Sequence, residues 1–265
     1  MTPDPAPLAR PVADSRVLVV GGTSGVGLAT AIEFARAGAP ALVLVGRNAQ
    51  RGALACEAVR AASPRAQVDF VAGDANDVAQ ATQAVARASE RMGRIDVLVN
   101  STVGPYAPRL LHVTPVQDIP AIVSSQMLAP LITSRLVLPG MRAQRGGLIV
   151  NIASDAGKVA TPGESVIGAA MAGIIMFGRA LAMEAKRDGV RVNTLTPSLI
   201  EGTLTYDRVM QDAFSAKLFA KAAKMAQLGV SQPEDLAHLC VFLARPEAVR
   251  ITGQAISPNG GISAA

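Results

Sequence analysis

The chain of 265 residues has no tryptophan, two tyrosines, two histidines and two cysteines, and only 3% of it is aromatic. A core with so few rings must be assembled from Ala, Val, Leu and Ile, as buried parallel strands and close-packed helices are. Cys56 and Cys240 lie far apart and match no metal-ligand spacing, which argues against a disulfide framework or a metal site and for a reducing compartment. No uninterrupted apolar run is long enough to span a bilayer, and Met1–Pro11 is proline-rich without an apolar centre, so neither a membrane span nor a signal peptide is expected. The net charge of +5 is scattered and accompanied by no nucleic-acid motif. It is read as surface charge with a modest bias toward anionic ligands such as phosphates. The expectation is a cytoplasmic protein with no nucleic acid, membrane or metal among its partners.

What is present is regular alternation. Short apolar runs at Arg16–Val20, Ala41–Val45, Val68–Ala72, Ile95–Asn100, Gly147–Ile152, Val190–Thr194 and Gln254–Ser257 read as strands. Between them, Gly25–Ala37, Ala49–Ala62, Val78–Met92, Gln117–Leu138, Val166–Arg187 and Pro233–Leu243 read as helices. Strand and helix in turn predict an α/β chain with a single-domain, Rossmann-like, doubly wound parallel sheet. A leader over residues 1–13 precedes the domain at 14–265, and Leu204–Leu228 reads as an inserted mobile helical segment, a lid over about residues 203–229.

The first strand runs into Gly21-Gly22-Thr23-Ser24-Gly25-Val26-Gly27 and then a helix. Glycines suit a sharp turn whose backbone approaches a pyrophosphate, with the helix N-terminal amides facing the anion. The alternative is a tight turn that only packs helix on strand. The second strand ends Val45-Gly46-Arg47-Asn48, without the carboxylate that would accept from the ribose 2′-hydroxyl of NAD. Arg47 offers a guanidinium to a 2′-phosphate instead, favouring NADP, unless it is simply an exposed arginine after a strand. Asp74 is placed to reach the adenine and Asn100 to line the crevice; both residue types also serve as turn or cap residues.

These segments resemble the short-chain dehydrogenase/reductase family over about Arg16 to Gly261. Val20–Gly27 is similar to the family's TGxxxGxG, with Val for Thr, and Ile95–Asn100 to the approach to its NNAG motif. Arg191-Val192-Asn193-Thr194-Leu195-Thr196-Pro197 is similar to RVNxxxPG, and Ile251–Gln254 through Gly260-Gly261 to ITGQxxxxxGG. The resemblance implies a cofactor contact at Ile200 beside Gly21, Thr23, Ser24, Gly25, Val26, Gly27, Arg47, Asp74 and Asn100. It also implies a Tyr that exchanges the substrate proton, a Lys one turn later that tunes it, a Ser that orients the substrate oxygen and an Asn in a proton relay.

On the family's spacing, Ser154 supplies the Ser. Ile167 falls at the Tyr position, Met171 at the Lys position and Gln126 at the Asn position, while Asn100-Ser101-Thr102-Val103 departs from NNAG. Neither Ile nor Met donates a proton, and a general acid/base contributes about 10²–10⁴-fold. Tyr106 and Tyr206 are the candidate substitutes, with His112, Asp155 and Lys158 nearby; His238 reads as a packed helix residue. Lys217, Lys221 and Lys224 read as a solvated stripe that alternatively meets coenzyme A phosphates. The helix carrying Ile167 and Met171 is rich in small residues, which suits close helix association in a dimer or tetramer. The expected function is therefore a catalytically degenerate subunit. It would pair with an active paralogue, in a hetero-oligomeric dehydrogenase acting on an alcohol or a hydroxyacyl-CoA. The alternatives are an active NAD(P)H-dependent carbonyl reductase with a non-standard proton donor and a nucleotide-binding sensor without turnover, and a homo-oligomer is the alternative to a paralogue partner. NADP is expected over NAD if a cofactor is bound at all.

Overall fold

Runs dense in Val, Leu and Ile form the strands because both faces of the sheet are covered. The computed structural model describes residues 9–265. Among them, seven strands make one parallel sheet: β1 (Arg16–Val20), β2 (Ala41–Gly46), β3 (Gln67–Ala72), β4 (Val97–Asn100), β5 (Gly147–Ile152), β6 (Val190–Leu195) and β7 (Ala255–Ile256). Their order is β3-β2-β1-β4-β5-β6-β7. Val20 at the end of β1 is in register with Val45 on one side and Asn100 on the other. The chain winds outward from β1 to β3 and then crosses to β4, so its direction reverses between β1 and β4. A crevice outside the carboxyl ends of these two strands follows from that reversal.

The helices are α1 (Gly25–Arg36), α2 (Ala49–Ala62), α3 (Val78–Met92), α4 (Ile119–Ala143), α5 (Ser165–Ala185), α6 (Leu204–Gln211), α7 (Ala213–Met225) and α8 (Pro233–Ala244). Alternate side chains of a strand point to opposite faces, and β1 separates the two cores accordingly. Val17 and Val19 pack with Phe34 of α1, Val59 of α2 and Leu236 and Cys240 of α8. Leu18 and Val20 pack with Val85 of α3, Met141 of α4 and Leu181 of α5. Both cysteines, Cys56 and Cys240, are free thiols buried in the first of these cores. Burial pushes both thiols up, Cys240 to about 12.

Several boundaries differ from the sequence expectation. The expected leader falls in part outside the described residues; within residues 9–13, Val12 is buried and Arg10 pairs with Asp96 at 3.2 Å. Helix α4 does not stop before Pro139 but continues to Ala143. Its last turn buries Met141 completely, and Gln144 Nε2 then donates to the carbonyls of Ile95 and Gly146. The segment expected as a lid is two helices rather than one. Asp212 ends α6 and caps α7, its Oδ1 accepting from Ser215 N at 2.8 Å. Residues 116–143 and 165–188, with mean hydropathy 1.4 and 1.8, are long and apolar enough by composition to cross a membrane, contrary to the expectation of none. Both pack against the sheet, and Met141 and Leu181 anchor them in its core.

Candidate active site

Space dictates glycine in the turn between β1 and α1. Gly21 has a positive φ of 84°, and a Cβ there would lie 2.3 Å from the Ser101 carbonyl oxygen. A Cβ on Gly27 would lie 2.2 Å from the Gly21 carbonyl oxygen, so α1 sits directly on the turn. Gly25 opens outward, the nearest neighbour of its Cβ being Thr203 at 3.4 Å. Ser24 is the N-cap of α1, yet its side chain accepts no capping hydrogen bond, so it does not take up the first-turn amides.

A cavity of about 570 Å³ extends from this turn past the carboxyl ends of the central strands to the lid. Gly21, Thr23, Ser24, Gly25 and Val26 line it at the turn, and Arg47 and Asp74 line it beyond β2 and β3. Ile200 lines it beside the lid. Arg47 Nη1 lies 4.0 Å from Asp74 Oδ2, and Arg51 joins them on the wall. This cradle fits a dinucleotide: backbone exposed by glycine at an uncapped helix start, with guanidinium groups at the end away from Ser154.

Two of the expected contacts lie elsewhere. Gly27 does not line the cavity; its role is the close packing of α1 on Gly21. Asn100 does not line it either, because β4 ends beneath the cavity floor. Its Nδ2 donates to Asn151 Oδ1 at 2.9 Å, and its Oδ1 accepts from Thr133 Oγ1 at 2.7 Å. It ties β4 to β5 and α4, and Ser101, Thr102 and Val103 form the wall above it.

At the other end, Ser154 lines the cavity just beyond β5, its Oγ accepting from Ala156 N at 3.2 Å. Ile167 and Met171, one turn apart on α5, face the same space. Met171 packs with Ala153, Ile174 and Ile175. Gln126 is buried, and its Oε1 accepts from Gly104 N at 3.2 Å, holding the segment after β4 in place. Tyr106 and Tyr206, both half-buried, line the cavity from that segment and from α6.

The remaining candidates separate. His112 is exposed and lies off the cavity wall. His238 is not a packed residue: α8 turns Leu236, Ala237 and Cys240 inward, which leaves His238 exposed and 3.7 Å from Glu33. Lys158 also lies off the wall, its Nζ donating to Ser257 Oγ and to the Ala265 carbonyl. Asp155 is on the wall but is engaged by the C-terminal segment, since its Oδ2 accepts from Ser263 Oγ at 2.6 Å and Asn259 Nδ2 at 3.3 Å. Lys217, Lys221 and Lys224 are exposed, and Lys221 alone of them reaches the cavity. Among the described residues no three His, Cys, Asp or Glu side chains gather as a metal would require.

Sequence reasoning missed Arg51, Arg208, Ser263 and above all Glu164, all on the cavity wall. Glu164 stands at the N-cap of α5, but its side chain makes no capping bond. Burial pushes its carboxyl up to about 7, and the negative charge of Asp155 adds to this while a hydrogen bond with Thr161 opposes it.

A glycine turn under a helix start, a crevice at the sheet's reversal point and a serine beyond β5 define a dinucleotide-type oxidoreductase site. The profile of the short chain dehydrogenase family matches residues 15–213, and the chain belongs to that family. It is 30% identical over 248 residues to a 3-oxoacyl-(acyl-carrier-protein) reductase of Chlamydia pneumoniae, covering 94% of this chain and 96% of that protein. Among solved structures it resembles levodione reductase, with TM-score 0.87, 27% identity and coverage of 93% of this chain and 96% of the other. It is also similar to YwfH, an NADPH-dependent reductase involved in bacilysin biosynthesis, with TM-score 0.86, 25% identity and coverage of 95% and 99%.

Proposed function

We propose that this protein is an NADP(H)-dependent oxidoreductase acting on a carbonyl or alcohol, in which proton transfer does not follow the family's usual route. Ile167 and Met171 stand where the family carries its Tyr and Lys, and Gln126 where it carries its relay Asn. The observation that carries the reading is the joining of two ends in one cavity: Arg47 and Arg51 at one, Ser154 at the other. A guanidinium pair of this kind matches the charge and oxygens of a 2′-phosphate. When bound, the cofactor supplies or accepts the hydride. Ser154 Oγ orients the substrate oxygen, the glycine turn and first-turn amides of α1 hold the pyrophosphate, and the lid limits water.

Leu218, Phe219 and Met225 of α7 with Leu204 of α6 give the substrate end an apolar wall, and Lys221 adds a cation. That combination suits a carbonyl on an apolar chain with an anionic carrier, as in the 3-oxoacyl substrates named for one relative.

A second reading is a non-catalytic subunit associated with an active relative. The apolar packing of Met171 and the exposed Met176 and Met183 on the outer face of α5 favour it. NADPH and NADH titrations of the purified chain, with recovery of the untagged protein from its source, separate the two. The first reading expects NADPH to bind more tightly than NADH, and Arg47→Ala to weaken NADPH by about tenfold or more while NADH changes little. A stoichiometric active relative, with a lone chain that turns over nothing, is the outcome that would replace it with the second.

A further inference from the structure

Ile167 and Met171 put apolar side chains on the cavity wall, and Glu164, the N-cap residue of α5, lies on the same wall one turn before Ile167. Its position is fixed from three directions. Its own N–H donates to the Thr161 carbonyl at 3.1 Å, and the Thr161 hydroxyl donates to the Val159 carbonyl at 3.2 Å, which fixes the turn before it. Gly163, with a φ of 89°, is reversed against the Phe214 ring of α7, where a Cβ would lie 2.5 Å away. Arg109 N donates to the Gly163 carbonyl at 2.7 Å, which joins this turn to the segment after β4. These contacts fix the backbone at Glu164, which lines the cavity one turn ahead of Ile167, as Ser154 also does.

We propose that Glu164 is the proton-exchanging group of this cavity, its carboxylic acid giving a proton to the oxygen of a carbonyl substrate oriented by Ser154. This rests on the oxidoreductase reading above. The balance is simple. The carbonyl carbon gains the hydride that a reduced nicotinamide dinucleotide supplies, and the C=O π bond opens. The oxygen takes the proton as the Glu164 O–H bond breaks. The resulting carboxylate regains a proton from water, and alcohol oxidation reverses each transfer.

Burial holds the acid form in reserve near neutral pH, where a general acid is most effective. The charged and titratable groups facing this space are Asp155 beyond β5, Tyr106 after β4, and Tyr206, Arg208 and Lys221 of the lid. The Asp155 Oδ2 is engaged by Ser263 and Asn259, which ties that side chain to the C-terminal segment.

The test uses the full chain, Glu164→Gln and Glu164→Asp, with Tyr106→Phe and Tyr206→Phe as comparisons. Infrared difference spectra between about pH 5.5 and 8.5 are expected to contain a carboxyl band titrating near neutrality that Glu164→Gln lacks. NADPH affinity, read from its fluorescence, is expected to change by less than about threefold on Glu164→Gln. With acetoacetyl-CoA and acetophenone as probes, kcat for NADPH oxidation is expected to fall as pH rises through the carboxyl's titration. Glu164→Gln is expected to lower it about 10²-fold or more, and Glu164→Asp to restore part of it.

Absence of the titrating band overturns the proposal. So does activity of Glu164→Gln within about threefold of the parent, loss of the pH limb only in a tyrosine variant, or no turnover of either probe by a chain that binds NADPH. A parent chain that does not bind NADPH instead removes the oxidoreductase reading itself, and this assignment falls with it.

Discussion

Glu164 binds its proton more tightly in the folded chain than in the unfolded one, since burial disfavours the carboxylate. The folded value of about 7 lies above the ordinary 4.5, so the stabilisation linked to this proton is complete below pH 4.5 and is lost as pH climbs to about 7. Thermal unfolding is expected to show Glu164→Gln gaining on the parent across that window, by on the order of 2–3 kcal/mol at pH 8 and almost nothing at pH 4.5. A difference that is flat with pH would count against it. The glycine turn was legible in the sequence because its chemistry is local: strand, glycines and helix are contiguous. Glu164 was not. A carboxylate after Pro162-Gly163 and just ahead of an apolar helix reads as an ordinary helix-start residue, and only tertiary packing turns its side chain to the cavity. Asn100 failed in the opposite direction, since its position at a strand end says nothing of the Asn151 and Thr133 partners that draw it below the floor.

Elements were most legible where burial on both faces made their composition uniform, as in β1 and β2, whose expected and observed spans agree almost to the residue. They were least legible where tertiary contacts override local preference. Pro139 suggests a helix end, but burial of Met141 draws the helix onward. The lid composition is helical throughout, and the break comes from Asp212 capping the next helix. The other lid helix, α6, is capped by Thr203, whose Oγ1 accepts from Tyr206 N at 3.1 Å and donates to the Ile200 carbonyl at 3.0 Å. Thr203→Ala is expected to cost α6 about 1 kcal/mol, seen as faster amide hydrogen exchange over residues 204–211 with the sheet amides unchanged. Equal exchange in both forms would mean that packing, not the cap, holds the lid.

For the whole molecule, α5 has two duties: its inner face carries Ile167 and Met171 to the cavity, while its outer face leaves Met176 60% and Met183 63% exposed. If that outer face is where copies or relatives associate, Met176→Glu is expected to shift the purified protein to a smaller species in light scattering, with its circular dichroism unchanged. An unchanged mass would assign association to another surface. The sequence disclosed a doubly wound parallel sheet because alternating strands and helices connect by strict rules, while the strand order came from the structure. It did not disclose that Asp155 would draw Ser263 onto the cavity wall, a contact between residues far apart in the chain. The two buried thiols have a practical consequence. Each is shielded from reagents and held in its unreactive protonated form, so the unmodified chain already serves as a background for site-selective labelling. A single cysteine placed at exposed Lys224 would carry a fluorophore on α7 without removing either native thiol, and would report on the surroundings of that helix directly.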